Sequence, residues 1–202
     1  TQSRSSGGWA RDTAAARSGK YGKLLGGHFK RVIADPVWLS HFYSPEVCGG
    51  PMLDLHIHDL DVIISLFGKP ERFSYTSCGG AQKSYQEHYR FLYAYPGMNV
   101  AAEAAWFNAD FPFTARWRVY FENAVVANEG GRMTAYQFDH EPRVFDTEDE
   151  VKIPTGINLP PTGMFYRELI HFMDCVKRGA PSERVARQQV LTVVELLEEM
   201  TK

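Results

Sequence analysis

The sequence has few cysteines, and they do not form a recognisable pattern. Cys48, Cys78 and Cys175 are the only three among 202 residues, they lie far apart, and none belongs to a C-x-x-C pair. This odd number and wide spacing argue against a disulfide framework and against a zinc knuckle. We therefore expect reduced thiols in a cytoplasmic protein.

A strong charge of either sign is also missing. The chain has 22 Lys and Arg against 24 Asp and Glu, which gives a formal net charge of -2. Binding to a phosphate backbone requires a basic surface, so a nucleic-acid partner is not expected. Apolar runs are too short for a membrane span of roughly 18 residues, and no signal-peptide pattern begins the chain.

Nucleotide-binding motifs are absent as well. Glycine pairs occur five times, but none forms G-x-G-x-x-G between a strand and a helix, and no G-x-x-x-x-G-K-[ST] is present. The sequence therefore predicts no cofactor-binding residue in this chain.

The composition is sufficient for one folded domain over residues 1–202, with 44% hydrophobic and 13% aromatic residues. The chain begins with Thr1 rather than Met, a short helix is predicted over Trp9–Ser18, and the last helix has no stop signal. These features indicate that the chain is cut from a longer protein.

The pattern of elements predicts an α+β fold. Gly26–Ala34 is rich in β-forming residues, and residues 36–50 are predicted to form a loop. Helices are predicted over Met52–Phe67, Met164–Lys177 and Val185–Met200. Between the first and second of these helices, polar residues alternate with aromatic or β-branched residues, which predicts strands joined by short turns. These strands are expected to form a large, mainly antiparallel sheet with helices on one face. The segments are Glu71–Cys78, His88–Gly97, Met98–Asn108, Thr114–Asn128 and Arg132–Asp139.

The alternation in these segments also predicts an interface. The aromatic and apolar residues are numerous enough to suggest that the sheet face opposite the helices is aromatic too. They are Tyr89, Phe91, Tyr93, Tyr95, Trp106, Trp117, Val119 and Phe121. A sheet with two apolar faces predicts a subunit contact.

The helix predicted over Met52–Phe67 carries a polar seam. At about 100° per residue, Asp54, His58, Asp61 and Ser65 fall in one narrow stripe, while apolar residues cover nearly all the rest. His56 and Asp59 lie on other faces, where packing or subunit contacts are expected. Burial of a carboxylate and an imidazole is costly unless they are paired or serve a ligand.

This seam has two interpretations. In the first, His58 accepts the proton of a hydroxyl that becomes a carbonyl, Asp54 holds that hydroxyl, and Asp61 orients the imidazole or contacts substrate. In the second, Asp54 caps the helix, His58 bonds a neighbouring loop, and Asp61 faces water. The spacing alone does not decide between them.

A metal site is a weaker alternative. The string His56-Ile57-His58 resembles the start of some metal-dependent hydrolase motifs, but those continue as H-x-H-x-D-H, whereas here Leu60 and Asp61 occupy the last two positions. No metal-binding residue is therefore predicted.

Gly49-Gly50-Pro51 through Asp61, followed by Gly68-Lys69-Pro70, resembles the GG-x-x-x-D-x-x-x-H-D-x-D … G-x-P signature of the glucose-fructose oxidoreductase/inositol dehydrogenase/rhizopine catabolism family (Gfo/Idh/MocA). The resemblance continues upstream through Ser18–Leu24 and downstream through Glu168–Phe172. It covers nearly the whole chain. Pro51 departs from the glycine found in many relatives.

The resemblance implies the C-terminal domain of such an enzyme, with a sheet like that of the C-terminal domain of glyceraldehyde-3-phosphate dehydrogenase. It implies that His58 transfers the proton, that Asp54 holds a substrate hydroxyl, and that Arg31, Trp38 and Tyr166 line the pocket. The missing Rossmann domain would bind NAD or NADP, and the open sheet face would form a homodimer or a dimer of dimers.

The expected activity is dehydrogenation of a sugar, polyol or related hydroxyl compound by the longer protein, with this chain alone inactive. A nonenzymatic dimerisation or ligand-binding module is the alternative, and a metal-dependent hydrolase is a third. Substrate, cofactor preference and reaction direction cannot be read from this sequence.

Overall fold

A computed structural model describes residues 19–37, 45–81, 83–145 and 164–202 of the chain. The helix predicted over Trp9–Ser18 lies outside these residues, as does most of the aromatic part of the loop predicted over residues 36–50. None of the helices in the described part has both the length and the hydropathy that a membrane span requires.

The fold is α+β, with one large mixed sheet and helices on one of its faces. In chain order the strands are β1 (Leu24–Ala34), β2 (Arg72–Cys78), β3 (His88–Tyr95), β4 (Met98–Phe107), β5 (Thr114–Phe121), β6 (Val125–Glu129), β7 (Arg132–Tyr136) and β8 (Arg143–Phe145). The helices are α1 (Pro45–Cys48), α2 (Gly50–Asp54), α3 (His56–Phe67), α4 (Met164–Arg178) and α5 (Arg187–Met200).

The strands are ordered β2-β3-β4-β1-β5-β6-β7-β8. Strand β1 therefore lies in the middle of the sheet rather than at its edge. It pairs in parallel with β4, with Arg31 opposite Ala104 and Ile33 opposite Trp106, and antiparallel with β5. The other neighbouring pairs in the sheet are antiparallel. The predicted sheet is confirmed, with one parallel pair at its centre.

Three local predictions differ from the structure. The helix predicted over Met52–Phe67 is two helices, α2 and α3, which meet at Leu55. The single run predicted over Thr114–Asn128 is a hairpin of β5 and β6, because residues 122–124 make a turn. In the described part of the predicted loop, residues 45–48 form the short helix α1, and α2 begins at Gly50.

The prediction of aromatic residues on both sheet faces is wrong. All eight residues on which it rested belong to a single core beneath the helices, where Tyr89 and Trp117 are partly buried and the other six are buried. Neighbours that alternate with them along β3 and β5, such as Arg90 and Arg118, are exposed. On that opposite face Arg118 pairs with Glu129 at 2.7 Å. One face of the sheet is therefore apolar and covered, and the other is largely polar.

The helices differ in how well they are packed. α3 is buried along most of its length, and α5 packs against it, with Val193, Leu196 and Leu197 of α5 buried in the core. The hydroxyl of Tyr75 on β2 donates to the carbonyl of Met200, which fixes the end of α5 to the sheet. α4, by contrast, leaves five large apolar side chains about half exposed: Leu169, Ile170, Phe172, Met173 and Val176.

Candidate functional site

The candidate site lies where α2 ends and α3 begins. Asp54 is the last residue of α2 and His58 lies in the first turn of α3, on either side of the break at Leu55. Across the break, the amide of Leu55 donates to the carbonyl of Pro51 at 3.2 Å, and the amide of His58 donates to the carbonyl of Leu55 at 3.3 Å. The break thus places two half-buried polar side chains at the surface of an apolar core.

Two strands supply the floor of the site. Arg31 on β1 lies opposite Ala104 on β4, and Trp106 follows two residues later, so Arg31 and Trp106 share the face that the helices cover. The Trp106 indole interacts with the Asp54 carboxylate. The positive charge of Arg31 acts on Asp54 as well as on His58. Arg31 therefore belongs to the site by position.

The titration properties of the two central residues follow from this environment. Burial raises the pKa of the Asp54 carboxyl, and the Trp106 indole and Arg31 offset part of that rise. Burial and the charge of Arg31 lower the pKa of the His58 imidazole to about 4, against a smaller opposing effect of Asp61. His58 is therefore neutral at pH 7 and has a free lone pair for a proton.

Asp59 is a site residue that the sequence pattern did not reveal. Its Oδ1 accepts two hydrogen bonds from Arg31, from Nη2 at 3.0 Å and from Nε at 3.3 Å. Asp59 is fully enclosed, so burial raises its pKa while Arg31 acts in the opposite direction. The expectation that Asp59 makes packing or subunit contacts is replaced by this ion pair within the chain.

His56 lies inside the core rather than in the site. Its ring stacks on Phe91 with centroids 3.7 Å apart, and its Nε2 contacts the hydroxyl of Tyr93. Complete burial and the charge of Arg31 lower the pKa of His56 to about 3. The expected packing role of His56 is therefore what the structure shows.

Asp61 is held by the neighbouring helix. The side-chain amide of Gln189 on α5 donates to the carbonyl oxygen of Asp61 at 3.0 Å and to its carboxylate at 3.4 Å. Asp61 is buried and does not face water. Its contact with substrate stays a prediction, since its polar contact with Gln189 points to the α3–α5 interface.

The remaining predicted pocket residues are less closely connected to this site. Tyr166 lies near the start of α4 and is 43% exposed. Trp38 lies outside the described residues. Nothing in the described contacts joins Tyr166 to Asp54 or His58, so its role as a pocket wall stays a prediction.

A second polar group lies beside Trp106. The Tyr85 hydroxyl donates to Asp35 at 2.6 Å, and the Lys83 ammonium donates to the same carboxylate. The Tyr85 ring meets the Trp106 ring edge to face, with centroids 5.9 Å apart. Burial and Asp35 raise the pKa of Tyr85 to about 12. This group joins the end of β1 to the loop before β3, and the sequence pattern gave no sign of it.

The described part of the chain contains neither a cluster of metal ligands nor a glycine-rich nucleotide-binding loop. There, no three His, Cys, Asp or Glu side chains are grouped so that they could hold a metal ion. The positive-φ glycines of this part lie in turns, at a strand bulge and at helix ends, and none connects a parallel strand to a helix as a nucleotide-binding loop does.

Comparison with known families and structures agrees with this architecture. Residues 12–127 match the family model described as "GFO/IDH/MocA C-terminal domain". This range is a little over half of the chain. No curated protein sequence matches the chain.

Several solved structures share the fold. A levoglucosan dehydrogenase in complex with NADH superposes with a TM-score of 0.79 at 12% identity, over 99% of this chain and 61% of that one. An oxidoreductase from Agrobacterium radiobacter in complex with NAD+, L-tartaric acid and magnesium gives a TM-score of 0.70 at 15% identity, over 94% and 57%.

A UDP-N-acetylglucosamine 3-dehydrogenase from Acidithiobacillus ferrooxidans gives a TM-score of 0.69 at 13% identity, over 92% of this chain and 55% of that one. At such low identity these similarities concern the fold. The chain spans little more than half the length of these proteins.

Proposed function

Because the chain belongs to the Gfo/Idh/MocA family, we propose that it is the substrate-binding and dimerisation domain of an NAD(P)-dependent oxidoreductase. The substrate is a sugar, a polyol or a related hydroxyl compound. The observation that carries this proposal is the pair of half-buried residues Asp54 and His58 at the α2–α3 break, beside Arg31. Partly buried polar groups at the edge of an apolar core are costly unless they are hydrogen-bonded, paired or used by a ligand, which supports a ligand-binding role for this pair.

The two central residues have separate roles. His58 is neutral at pH 7 because its pKa is about 4, so its imidazole accepts the proton that leaves a substrate hydroxyl during oxidation. Asp54 accepts a hydrogen bond from the same or a neighbouring hydroxyl and thereby orients it. In the reverse direction, protonated His58 returns the proton to the oxygen of the reduced product.

On this proposal NAD or NADP is bound mainly by an N-terminal nucleotide-binding domain outside this chain, which fits the lack of a glycine-rich strand-to-helix loop among the described residues. NAD or NADP supplies hydride transfer in oxidoreductases of this kind. On this proposal the isolated chain does not turn over substrate. It contributes the proton acceptor and the substrate contacts.

The hydroxyl-rich ligands of the structural neighbours support this choice of substrate class. Levoglucosan, L-sorbose and L-tartaric acid are named in their complexes, and one neighbour is named for a UDP-sugar. A carboxylate beside an imidazole suits such compounds, because each hydroxyl both donates and accepts a hydrogen bond. The particular compound is set by contacts that this fold-level likeness does not define.

The test is a substrate panel on the longer protein that contains this chain. We expect sugars or polyols to produce reduced cofactor, followed by its absorbance, while the isolated 202-residue chain produces none. If the longer protein binds no NAD or NADP yet binds a sugar, the nonenzymatic ligand-binding module replaces this proposal. Activity that depends on stoichiometric zinc would favour the metal-dependent hydrolase.

The open face of the sheet is proposed as the dimer contact, in a homodimer or a dimer of dimers. In the described residues no helix covers this face, and Leu92 on β3 is 61% exposed there. Because the face is largely polar, we expect a contact built on scattered apolar residues and ion pairs. The cytoplasmic location remains a prediction from the cysteine pattern.

A further inference from the structure

A row of polar side chains crosses the open face of the sheet, opposite the face that carries the candidate site. It runs over four neighbouring strands, with Cys78 on β2, His88 on β3, Glu103 on β4 and Lys30 on β1. Cys78 is the register partner of His88, and Lys30 is that of Glu103, so the members of each pair project from the same face. The proton transfer proposed above uses none of these residues.

The imidazole of His88 joins Cys78 to Glu103. Its Nδ1 lies 3.8 Å from the Cys78 Sγ, and its Nε2 lies 3.1 Å from the Glu103 Oε1. The two contacts therefore use the two different ring nitrogens. A thiol, an imidazole and a carboxylate are connected in that order across β2, β3 and β4.

The charge of Glu103 determines which ring nitrogen carries the proton. Burial raises the pKa of its carboxyl, but Lys30, at 3.3 Å, and the hydrogen bond with His88 outweigh that effect and lower the pKa below its ordinary value. Glu103 is therefore ionised at pH 7, and an ionised carboxylate only accepts hydrogen bonds. Neutral His88 thus keeps its proton on Nε2, and the lone pair of Nδ1 faces the thiol.

His88 is held in place, whereas Cys78 is open to solvent. The His88 ring lies 6.3 Å from the Phe107 ring, centroid to centroid, and its side chain is 25% exposed. The amide of Glu87 donates to the carbonyl of Cys78 at 3.0 Å, which fixes the end of β2. The Cys78 residue itself is exposed. A small reagent can therefore reach the sulfur without a rearrangement of the sheet.

This arrangement does not suit a metal ion. Cys78 and Glu103 lie against different nitrogens of one ring, so their ligand atoms do not converge on a single point. In the part of the chain that the structure describes, no three such side chains could hold a metal. A thiol beside a base that a carboxylate orients is instead the arrangement that activates a nucleophile.

We propose that Cys78 is a reactive thiol that hydroperoxides oxidise, with His88 as its proton acceptor and Glu103 as the residue that positions His88. His88 Nδ1 takes the thiol proton, and the sulfur forms a bond to one oxygen of hydrogen peroxide. The O–O bond breaks, and the hydroxide that leaves takes the proton from His88 and becomes water. The sulfur is oxidised to a sulfenic acid, and the peroxide is reduced.

The test is treatment of the 202-residue chain with hydrogen peroxide and dimedone, a reagent that bonds to sulfenic acids. Peptide mass spectrometry then gives the labelling rate of Cys78 separately from those of the other two cysteines. We expect His88→Gln to slow labelling of Cys78 about tenfold or more, because an amide cannot take up the thiol proton. His28→Gln is the matched control. It removes another imidazole from β1 on the same face, and it should leave the rate unchanged.

Glu103→Gln tests the positioning role of Glu103. The new amide can donate to Nε2 of His88, which moves the imidazole proton to Nδ1 and blocks the lone pair that faces Cys78. We expect the labelling rate of Cys78 to fall about fivefold or more. The nitrogen NMR signals of His88 should show the change of tautomer, which a merely structural role of Glu103 would not produce.

All rates are also measured with Leu92→Glu added to each chain, so that the proposed dimer cannot cover Cys78. Equal labelling of Cys78 in the wild type and His88→Gln, in both backgrounds, would overturn the inference. Equal slowing in His28→Gln would also overturn it, because the effect would then belong to the sheet face in general. If His88→Gln does not fold, Glu103→Gln decides: an unchanged rate with an unchanged tautomer contradicts the proposal.

Discussion

His56 and His58 are two residues apart and occupy different environments. His56 is buried in the core, where its ring stacks on Phe91 and contacts the Tyr93 hydroxyl. His58 is half-buried at the edge of the site. Burial is the main cause of the lowered pKa of both, about 3 for His56 and about 4 for His58. Both are neutral at pH 7, and both oppose folding once the pH falls below the pKa of an unfolded histidine.

The acid sensitivity of the fold is predicted to come in nearly equal parts from His58 and His56. His56 gives the simpler test, because it lies in the core, outside the candidate site. Its pKa is about 3 in the folded chain, against 6.5 for an unperturbed histidine, so the unfolded chain binds more protons between these values. Stability is full above pH 6.5 and falls as the pH drops. Between pH 7 and pH 5, His56 alone should cost about 2 kcal/mol.

Urea unfolding at pH 7 and pH 5 measures this loss. His56→Gln should remove about 2 kcal/mol from the difference between the two pH values. The matched control is His140→Gln, at an exposed bend, which should leave the difference unchanged. An identical pH dependence in the wild type and His56→Gln would refute the assignment.

Individual site residues were predictable only in part. The stripe that contains Asp54 and His58 is a local pattern, and the structure places both at one site. The pairing of Asp59 with Arg31 joins residues 28 positions apart on a helix and a strand. The local sequence pattern predicts neither this pairing nor the contact of Trp106 with Asp54, because each depends on the order of strands in the sheet.

The break between α2 and α3 was not predictable from sequence either. The apolar pattern continues through Leu55, and no glycine or proline marks the position. The angular positions predicted for residues 52–67 assume one straight helix, and this assumption is wrong. Asp54 and His58 still fall together because the break leaves their separation of four residues close to one helical turn.

At the level of secondary-structure elements, the main feature that the sequence does not predict is the central position of β1 in the sheet. Short turns correctly predict pairing of neighbours such as β3 with β4 and β6 with β7. A strand that inserts between β4 and β5 gives no local signal, because its partners lie about 70 to 100 residues away along the chain. This insertion is what brings Arg31 beneath α3.

The insertion of β1 between β4 and β5 requires glycine at position 26. Gly26 lies at an irregularity in the pairing of β1 with β5, and its φ is +155°. A Cβ there would overlap the backbone carbonyl of Asn99 on β4. We expect Gly26→Ala to lower the free energy of unfolding by about 3 kcal/mol, through strain and a displaced β4.

Thermal or urea unfolding measures this effect against Gly97→Ala. Gly97 also has a positive φ, of +67°, but a Cβ there meets open space. The control should therefore cost only about 1 kcal/mol. Equal losses in the two variants would show that close packing of β1 on β4 is not what requires Gly26.

At the scale of the whole molecule, no helix among the described residues covers one face of the sheet, and the proposed dimer would cover that face. Sedimentation velocity of the chain should show a dimer, and Leu92→Glu should shift it towards monomer by placing a charge in the contact. Phe172→Glu is the matched control, since Phe172 on α4 is also 61% exposed. A monomeric wild type, or equal dissociation in both variants, would reject this interface.

We propose that His58 transfers the proton in a longer oxidoreductase whose nucleotide-binding domain lies outside this chain. The most direct test compares turnover with cofactor affinity after His58→Asn in that protein. If His58 has this role, kcat should fall about a hundredfold or more, with cofactor Kd little changed. Unchanged kcat in a folded His58→Asn variant would contradict it.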